Sequence, residues 1–112
     1  GLMSNIFKLV IPNKGELTKL YIQQFKHGGV FLHGSSGYEL GDGVFLLITL
    51  PETNENIAVT GKVCWLSPVS TVGYPAGIGV QFSNDKAGSD AKAKIEIMLG
   101  GLLQQQQANY TF

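Results

Sequence analysis

The first third of the chain shows two kinds of hydrophobic spacing. Residues 6–11 form a short, mostly apolar run that is closed by a Pro-Asn-Lys-Gly segment, which predicts a strand followed by a turn. The next apolar residues recur at the spacing of one helix face: Leu17, Leu20, Tyr21 and Phe25. We therefore predict a short helix that ends at Gly28 and Gly29, although the same stretch could begin as a strand.

Downstream of Gly29 the spacing changes to alternation, which is the period of a strand with one buried face. The pattern predicts strands at 30–32, 44–50, 57–66 and 76–82. Val59, Val63 and Trp65 share one face of the longest strand, so all three are expected in the core. The loop 52–56 is too short for a crossover helix, so its flanking strands should be antiparallel. Short strands and loops of this kind predict a small antiparallel barrel or sandwich.

A helical apolar stripe follows the last predicted strand. Its members recur at the spacing of one helix face: Ala91, Ile95, Met98, Leu99, Leu102 and Leu103. The pairs at 84–85 and 89–90 offer two choices of N-cap, and two glycines weaken the C-terminal end of the helix. We assign residues 4–103 to one domain, residues 1–3 to a cloning remnant and start, and residues 104–112, which begin with a glutamine run, to a C-terminal tail.

Composition then removes several functional classes. Eight lysines balance eight acidic residues, so the formal net charge is zero and no basic field is available for duplex nucleic acid. No apolar run reaches the ~20 residues of a membrane span. The single cysteine, Cys64, can neither staple a secreted fold nor build a zinc site. We therefore expect a cytoplasmic protein without a membrane span, a metal or a nucleic-acid partner.

The low content of charged residues is compatible with two interpretations. Charged residues make up 14% of the chain, against ~25% in an average globular protein. A surface so thinly charged is expected to hold neutral or apolar patches, which often mark protein-binding sites. A glycine-rich barrel with a polar but uncharged surface explains the same composition, because glycine accounts for 15 of the residues. Composition alone leaves both interpretations open.

Candidate catalytic residues are few and poorly arranged. His27 and His33 each adjoin a glycine in a predicted turn or strand end, which is typical of exposed histidines. Cys64 has no identified base beside it, and the carboxylates form no spaced pair of the kind that acid–base chemistry needs. We therefore predict that the protein has no catalytic residues and is not an enzyme.

The aromatic residues are better candidates for a functional site. Tyr21 lies on the helical stripe, but its hydroxyl requires water or a partner. Tyr110 and Phe112 lie beyond the glutamine run, so they are either frayed or docked on this domain or on another protein. Together with Phe25 and Trp65, these residues form the set that we predict to bind a partner.

Four sequence strings resemble a known family. They occur in the order Gly-Gly-Val-Phe at 28–31, Tyr-Glu-Leu-Gly-Asp at 38–42, Val-Thr-Gly-Lys-Val-Cys-Trp at 59–65 and Ala-Gly-Ile-Gly-Val-Gln-Phe at 76–82. This order, closed by a helix, is similar to the PilZ domain family, and within it to the stand-alone domains of type IV pilus biogenesis. The resemblance implies a mainly β fold, a six-stranded antiparallel β-barrel with a short N-terminal helix and a C-terminal helix.

The residues by which most PilZ domains bind cyclic di-GMP are degenerate in this chain. Those domains use an arginine-bearing N-terminal segment and an Asp/Asn-x-Ser-x-x-Gly turn. Aligned on Gly28 and Gly29, the turn keeps only its final glycine, with Gln24 and Lys26 in place of the acid and the serine. The chain contains no arginine, whose planar fork forms two parallel hydrogen bonds where lysine offers a point charge. We therefore predict no cofactor and no direct binding of cyclic di-GMP.

The resemblance implies a protein-binding adaptor. Its expected partners are the pilus extension ATPase and a degenerate GGDEF–EAL regulator, and it is expected to bind both in the bacterial cytoplasm. Two alternatives stay open. One is a cyclic di-GMP receptor domain that obtains its arginines from another chain, and the other is a small enzyme or structural barrel.

Overall fold

Five strands and two helices make up the described part of the chain. A computed structural model describes residues 5–35, 37–67 and 76–103. The elements are β1 (Ile6–Val10), α1 (Lys14–Leu20), β2 (Gly29–His33), β3 (Gly43–Thr49), β4 (Asn56–Ser67), β5 (Gly77–Phe82) and α2 (Lys86–Leu99). The strands form one half-barrel sheet in the order β1-β3-β4-β5-β2.

The sheet is mixed rather than antiparallel. β3, β4, β5 and β2 are antiparallel neighbours, which confirms the expectation for the strands that flank the loop 52–56. β1, however, runs parallel to β3, with Ile6 opposite Phe45 and Val10 opposite Thr49. A parallel pair needs a long crossover connection, and α1 together with β2 provides it. The expectation of a six-stranded antiparallel barrel is therefore wrong, because the described residues form five strands in a mixed half-barrel.

Helix α1 is shorter than the hydrophobic spacing predicted. Its N-cap is Asn13, whose side-chain oxygen accepts a hydrogen bond from the Glu16 N–H at 2.8 Å. The helix ends before Tyr21, which already has extended dihedral angles and forms a β-bridge with Val30. Phe25 consequently lies in the turn that precedes β2 and is not on the helix.

Helix α2 packs against β4 and β5 and closes the inner side of the sheet. Of the two N-cap choices, Asp85 is the one used, and its carboxylate accepts the Gly88 N–H at 2.9 Å. Gly100 ends the helix with a φ of +48°. The predicted apolar stripe is confirmed: Ala91, Ile95, Leu99 and Leu103 are buried, and Met98 and Leu102 pack partly buried against them.

The core lies between the helices and one face of the sheet, which we call the inner face. The side chains that the strands contribute to it are Val30, Leu32, Val44, Leu46, Ile48, Ile57, Val59, Val63, Ile78, Val80 and Phe82. Alternate residues of the same strands face the other side. We call that side the outer face, and it holds the features described next.

A β-bulge in β4 reverses the expected side of Trp65. Val63 pairs with Val80, but the register shifts by one residue before Trp65 pairs with Gly79. A bulge sets two residues of one strand against one residue of its neighbour, so the alternation changes phase. Trp65 therefore lies on the outer face over Gly79, while Val63 stays in the core. The expected placement of Trp65 beside Val63 in the core is wrong.

Candidate functional site

A groove crosses β3, β4 and β5 on the outer face, and we call it the outer groove. Its volume is about 810 Å³, within the range of small-molecule sites. The turn before β2 contributes His27 to its wall, and the segment before β3 contributes Asp42. The outward strand side chains in its wall are Ile6 of β1 together with Phe45, Thr60, Lys62, Cys64 and Gln81.

Gln81 connects the outer groove to the turn before β2. Its Oε1 accepts the His27 backbone N–H at 3.1 Å, and its Nε2 lies 3.5 Å from the Cys64 Sγ. Lys62 stands opposite Gln81 in the register and forms no ion pair with any residue that the structure describes. The groove therefore offers amide and ammonium donors and the carboxylate of Asp42, but no planar fork for bidentate recognition.

The turn at 24–29 is shaped by its glycines. Gly28 has a φ of +73°, in the left-handed region that favours glycine. Gly29 lies so close to β5 that a Cβ atom there would stand 2.1 Å from the Val80 carbonyl oxygen. Gln24 and Lys26, which occupy the places of the acid and the serine, are exposed. Backbone conformation thus explains Gly28 and close packing explains Gly29, whereas the side chains of Gln24 and Lys26 remain accessible to solvent.

Three aromatic side chains pack together beside the outer groove, and we call Phe25, Phe31 and Trp65 the aromatic cluster. The ring centroids of Phe31 and Trp65 are 5.3 Å apart. A Cβ atom on Gly79 would lie 3.0 Å from the Trp65 Cβ and 3.2 Å from the Phe25 Cζ, so both side chains cover this glycine. Phe25 and Trp65 are each half-buried. The structure therefore brings together two of the five residues predicted to bind a partner.

Tyr21 lies apart from the aromatic cluster, in the core. Its hydroxyl donates a hydrogen bond to Glu96 Oε2 at 2.6 Å, and the Lys92 ammonium contacts Glu96 Oε1 at 3.0 Å. Burial, and then the hydrogen bond to Glu96, raise the pKa of the Tyr21 hydroxyl far above its ordinary value. The hydrogen-bond acceptor of the Tyr21 hydroxyl is therefore Glu96 of the same domain. Tyr110 and Phe112 lie outside the described residues.

The remaining metal-ligating and reactive side chains that the structure describes do not cluster into a site. Within residues 5–35, 37–67 and 76–103, no three of His, Cys, Asp and Glu are grouped so that they could hold a metal ion. Cys64 is free and exposed, and the His33 ring contacts Phe31 at 4.8 Å between centroids. In the same part of the chain, no helix has the length and apolar character to cross a membrane.

Taken together, a half-barrel sheet closed by a C-terminal helix, with a groove and an aromatic cluster on its outer face, defines a small β-sheet domain with a surface suited to binding. Residues 6–99 match the model of the PilZ domain, and the chain belongs to this family. A comparison with curated proteins gives no match. PilZ domains are generally non-catalytic effector or adaptor domains that bind cyclic di-GMP or mediate protein interactions.

Sequence reasoning did not identify the outer groove as a site, although its residues follow a readable pattern. Thr60 and Lys62 alternate with core residues of β4, and Gln81 alternates with core residues of β5. This alternation assigns all three to the face opposite the core. What it does not show is that β5 lies beside β4 with Gln81 opposite Lys62, because this register depends on long-range pairing.

Proposed function

We propose that this PilZ domain is a non-enzymatic adaptor for type IV pilus biogenesis, which binds protein partners and does not itself bind cyclic di-GMP. One observation carries the proposal: the chain has no arginine, and Gln24 and Lys26 occupy the turn where the family has an acid and a serine. The cation of the outer groove is Lys62, which lacks the two parallel donors of a guanidinium group.

The expected loss of nucleotide affinity is large. By analogy with base readout in DNA, each bidentate arginine contact contributes about 1–3 kcal/mol. Two missing contacts then weaken binding by roughly 30- to 25,000-fold.

Calorimetric titration of the full chain with cyclic di-GMP tests the nucleotide part of this proposal. We expect no heat of binding at micromolar concentrations. The matched control is the double variant Gln24→Asp with Lys26→Ser, which restores the turn but adds no guanidinium group, and it should also fail to bind. Low-micromolar binding by the native chain would refute the proposal, and binding by the double variant alone would move the cause from arginine to the turn.

The proposed partners are the pilus extension ATPase and a degenerate GGDEF–EAL regulator in the bacterial cytoplasm. One partner engages the surface around Tyr21, and the other engages the outer strands or the tail that carries Tyr110 and Phe112. The half-buried side chains of Phe25 and Trp65 support a partner site on the outer strands, because aromatic side chains are enriched at protein interfaces. Tyr21 is buried, so it would act by positioning α1 and α2 rather than by direct contact.

A pull-down of the extension ATPase tests the partner sites. The variants are Tyr21→Phe, Phe25→Ala with Trp65→Ala, and a truncation after Gln107, and Tyr21→Ala is included only with a check of its folding. Thr53→Ala is the control, because Thr53 is exposed in the loop between β3 and β4 and belongs to none of these sites. We expect at least one variant to lose binding while the control keeps it. If all variants bind like the native chain, the residue assignment is wrong.

The alternative function is a cyclic di-GMP receptor domain completed by another chain. The outer groove favours it, because the groove has the volume of a small-molecule site and is lined by Lys62 and Gln81. Titration of the nucleotide into the complex with each partner distinguishes the two functions. Tighter binding by the complex than by the partner alone would support a composite site.

A further inference from the structure

Strand β1 is an edge strand of the sheet that residues 5–35, 37–67 and 76–103 form, and within these residues half of its backbone groups have no partner. Among the strands described there, β1 has β3 as its one neighbour. The Phe45 N–H donates a hydrogen bond to the Asn5 carbonyl at 2.7 Å, and in a parallel pair the bonded groups then come from every second residue. The residues whose N–H and C=O groups face away from β3 are therefore Ile6, Lys8 and Val10.

The side chains of the same residues extend an apolar strip over the outer face. Ile6 is 54% exposed and Val10 is 76% exposed, and Ile6 pairs with Phe45, which is 41% exposed. Lys8 pairs with the half-exposed Leu47. We call these five residues the β1 edge surface. It combines free main-chain donors and acceptors with apolar side chains at alternate positions, which is what strand addition requires.

The charge on this surface selects the kind of strand. Lys8 is its one charged residue, and it forms no ion pair among the described residues. The lysines that do form ion pairs are Lys14, Lys19, Lys86, Lys92 and Lys94. A second copy of β1, added antiparallel and centred on Lys8, would set two lysines opposite each other, which is destabilising. An acidic side chain opposite Lys8 is favourable instead.

We infer that the β1 edge surface binds an extended segment of a partner protein as an additional strand. The segment carries β-branched or other apolar residues on either side of a carboxylate that faces Lys8. Its backbone pairs with the free groups of Ile6, Lys8 and Val10. This site adjoins the outer groove, with which it shares Ile6 and Phe45, and it lies at the opposite end of the sheet from the aromatic cluster. The inference does not depend on a role in pilus biogenesis.

The probe is a capped peptide of sequence Thr-Val-Thr-Asp-Thr-Val-Thr, added to the full isotope-labelled chain and followed by NMR. We expect the amides of Ile6, Lys8 and Val10 to shift and their hydrogen exchange to slow. A matched peptide with lysine in place of the aspartate should bind about three- to tenfold more weakly. The variant Lys8→Glu should reverse this preference, whereas Lys26→Glu, an equal charge change off the edge, should leave it unchanged.

A second variant separates backbone pairing from charge. Lys8→Pro removes the outward N–H and places a ring at the edge, a position where proline is tolerated because β3 does not use that N–H. It should abolish the peptide-induced shifts, while Lys8→Ala should keep them. Three outcomes would overturn the inference: no shifts in β1 at millimolar peptide, shifts confined to the β4 and β5 residues of the outer groove (Thr60, Lys62, Cys64 and Gln81), or a dimer of the chain without peptide that protects the same amides.

Discussion

Tyr21 joins the two helices through one side chain. It is 2% exposed, and its hydroxyl is bonded to Glu96 of α2, which also contacts Lys92. Tyr21 therefore has two roles: its ring fills the core, and its hydroxyl donates a hydrogen bond to the Glu96 carboxylate. Substitution by alanine removes both, so loss of partner binding in that variant would not separate a contact from a packing defect.

We predict that Tyr21→Phe destabilises the fold by about 1 kcal/mol, because Glu96 loses one hydrogen bond but keeps Lys92. Tyr21→Ala should cost about 3–5 kcal/mol, since it leaves a cavity in the core. Urea unfolding followed by tryptophan fluorescence measures both. Equal losses of unfolding free energy in the two variants would contradict this division between packing and hydrogen bonding.

Gly29 and Gly43 each begin a strand, yet only one of them is constrained by packing. A Cβ atom on Gly29 would lie 2.1 Å from the Val80 carbonyl oxygen, whereas one on Gly43 would meet nothing within 4 Å. We predict that Gly29→Ala destabilises the protein by about 1–3 kcal/mol, and that Gly43→Ala changes stability by no more than about 0.5 kcal/mol. Thermal melts of the two variants make the comparison, and a harmless Gly29→Ala would contradict the close approach of β2 and β5.

At the scale of elements, Asp85 makes the start of α2 sensitive to acid. Its carboxylate accepts the Gly88 N–H at 2.9 Å and the Ser83 hydroxyl at 2.7 Å, and these bonds, that of Gly88 first, lower the pKa of Asp85. A lowered pKa in the folded state stabilises the fold fully above the ordinary aspartate pKa. The contribution is lost as the pH falls through the lower folded value.

We therefore predict that the native chain melts at a higher temperature than Asp85→Asn at neutral pH, because asparagine can cap the helix but carries no charge. The difference should begin to shrink as the pH falls below the ordinary aspartate pKa, and it should vanish once the pH has passed the lowered pKa of Asp85 in the folded state. Melting curves from pH 7 to pH 2 measure it. A difference that stays constant over this range would show that the charge of Asp85 does not contribute.

The elements that could be predicted from the sequence are those defined by local spacing. The stripe from Ala91 to Leu103 predicted α2, and the short loop 52–56 predicted the antiparallel pairing of β3 and β4. The parallel pairing of β1 could not be predicted, because it depends on a strand that follows only after α1 and β2. Nor could the bulge before Trp65, because the alternation of residue types continues through it without a visible break.

At the scale of the whole molecule, zero net charge conceals an uneven distribution. Five of the eight lysines form ion pairs among the described residues. Lys8 and Lys62, which form none there, both lie on the outer face, and Lys26 lies in the turn beside it. The sequence showed the charge balance and the missing arginine, which decide the nucleotide argument. It did not show where the unpaired lysines lie, because that requires the fold.

The parallel pairing of β1 also affects how the protein is made. On the ribosome, β1 emerges well before β3, its one neighbour among the described strands. At a synthesis rate of roughly 5–20 residues per second, the chain between Val10 and Gly43 takes about two to seven seconds to appear. During that interval the nascent β1 lacks its partner β3, and exposed apolar residues on an unpaired strand favour aggregation.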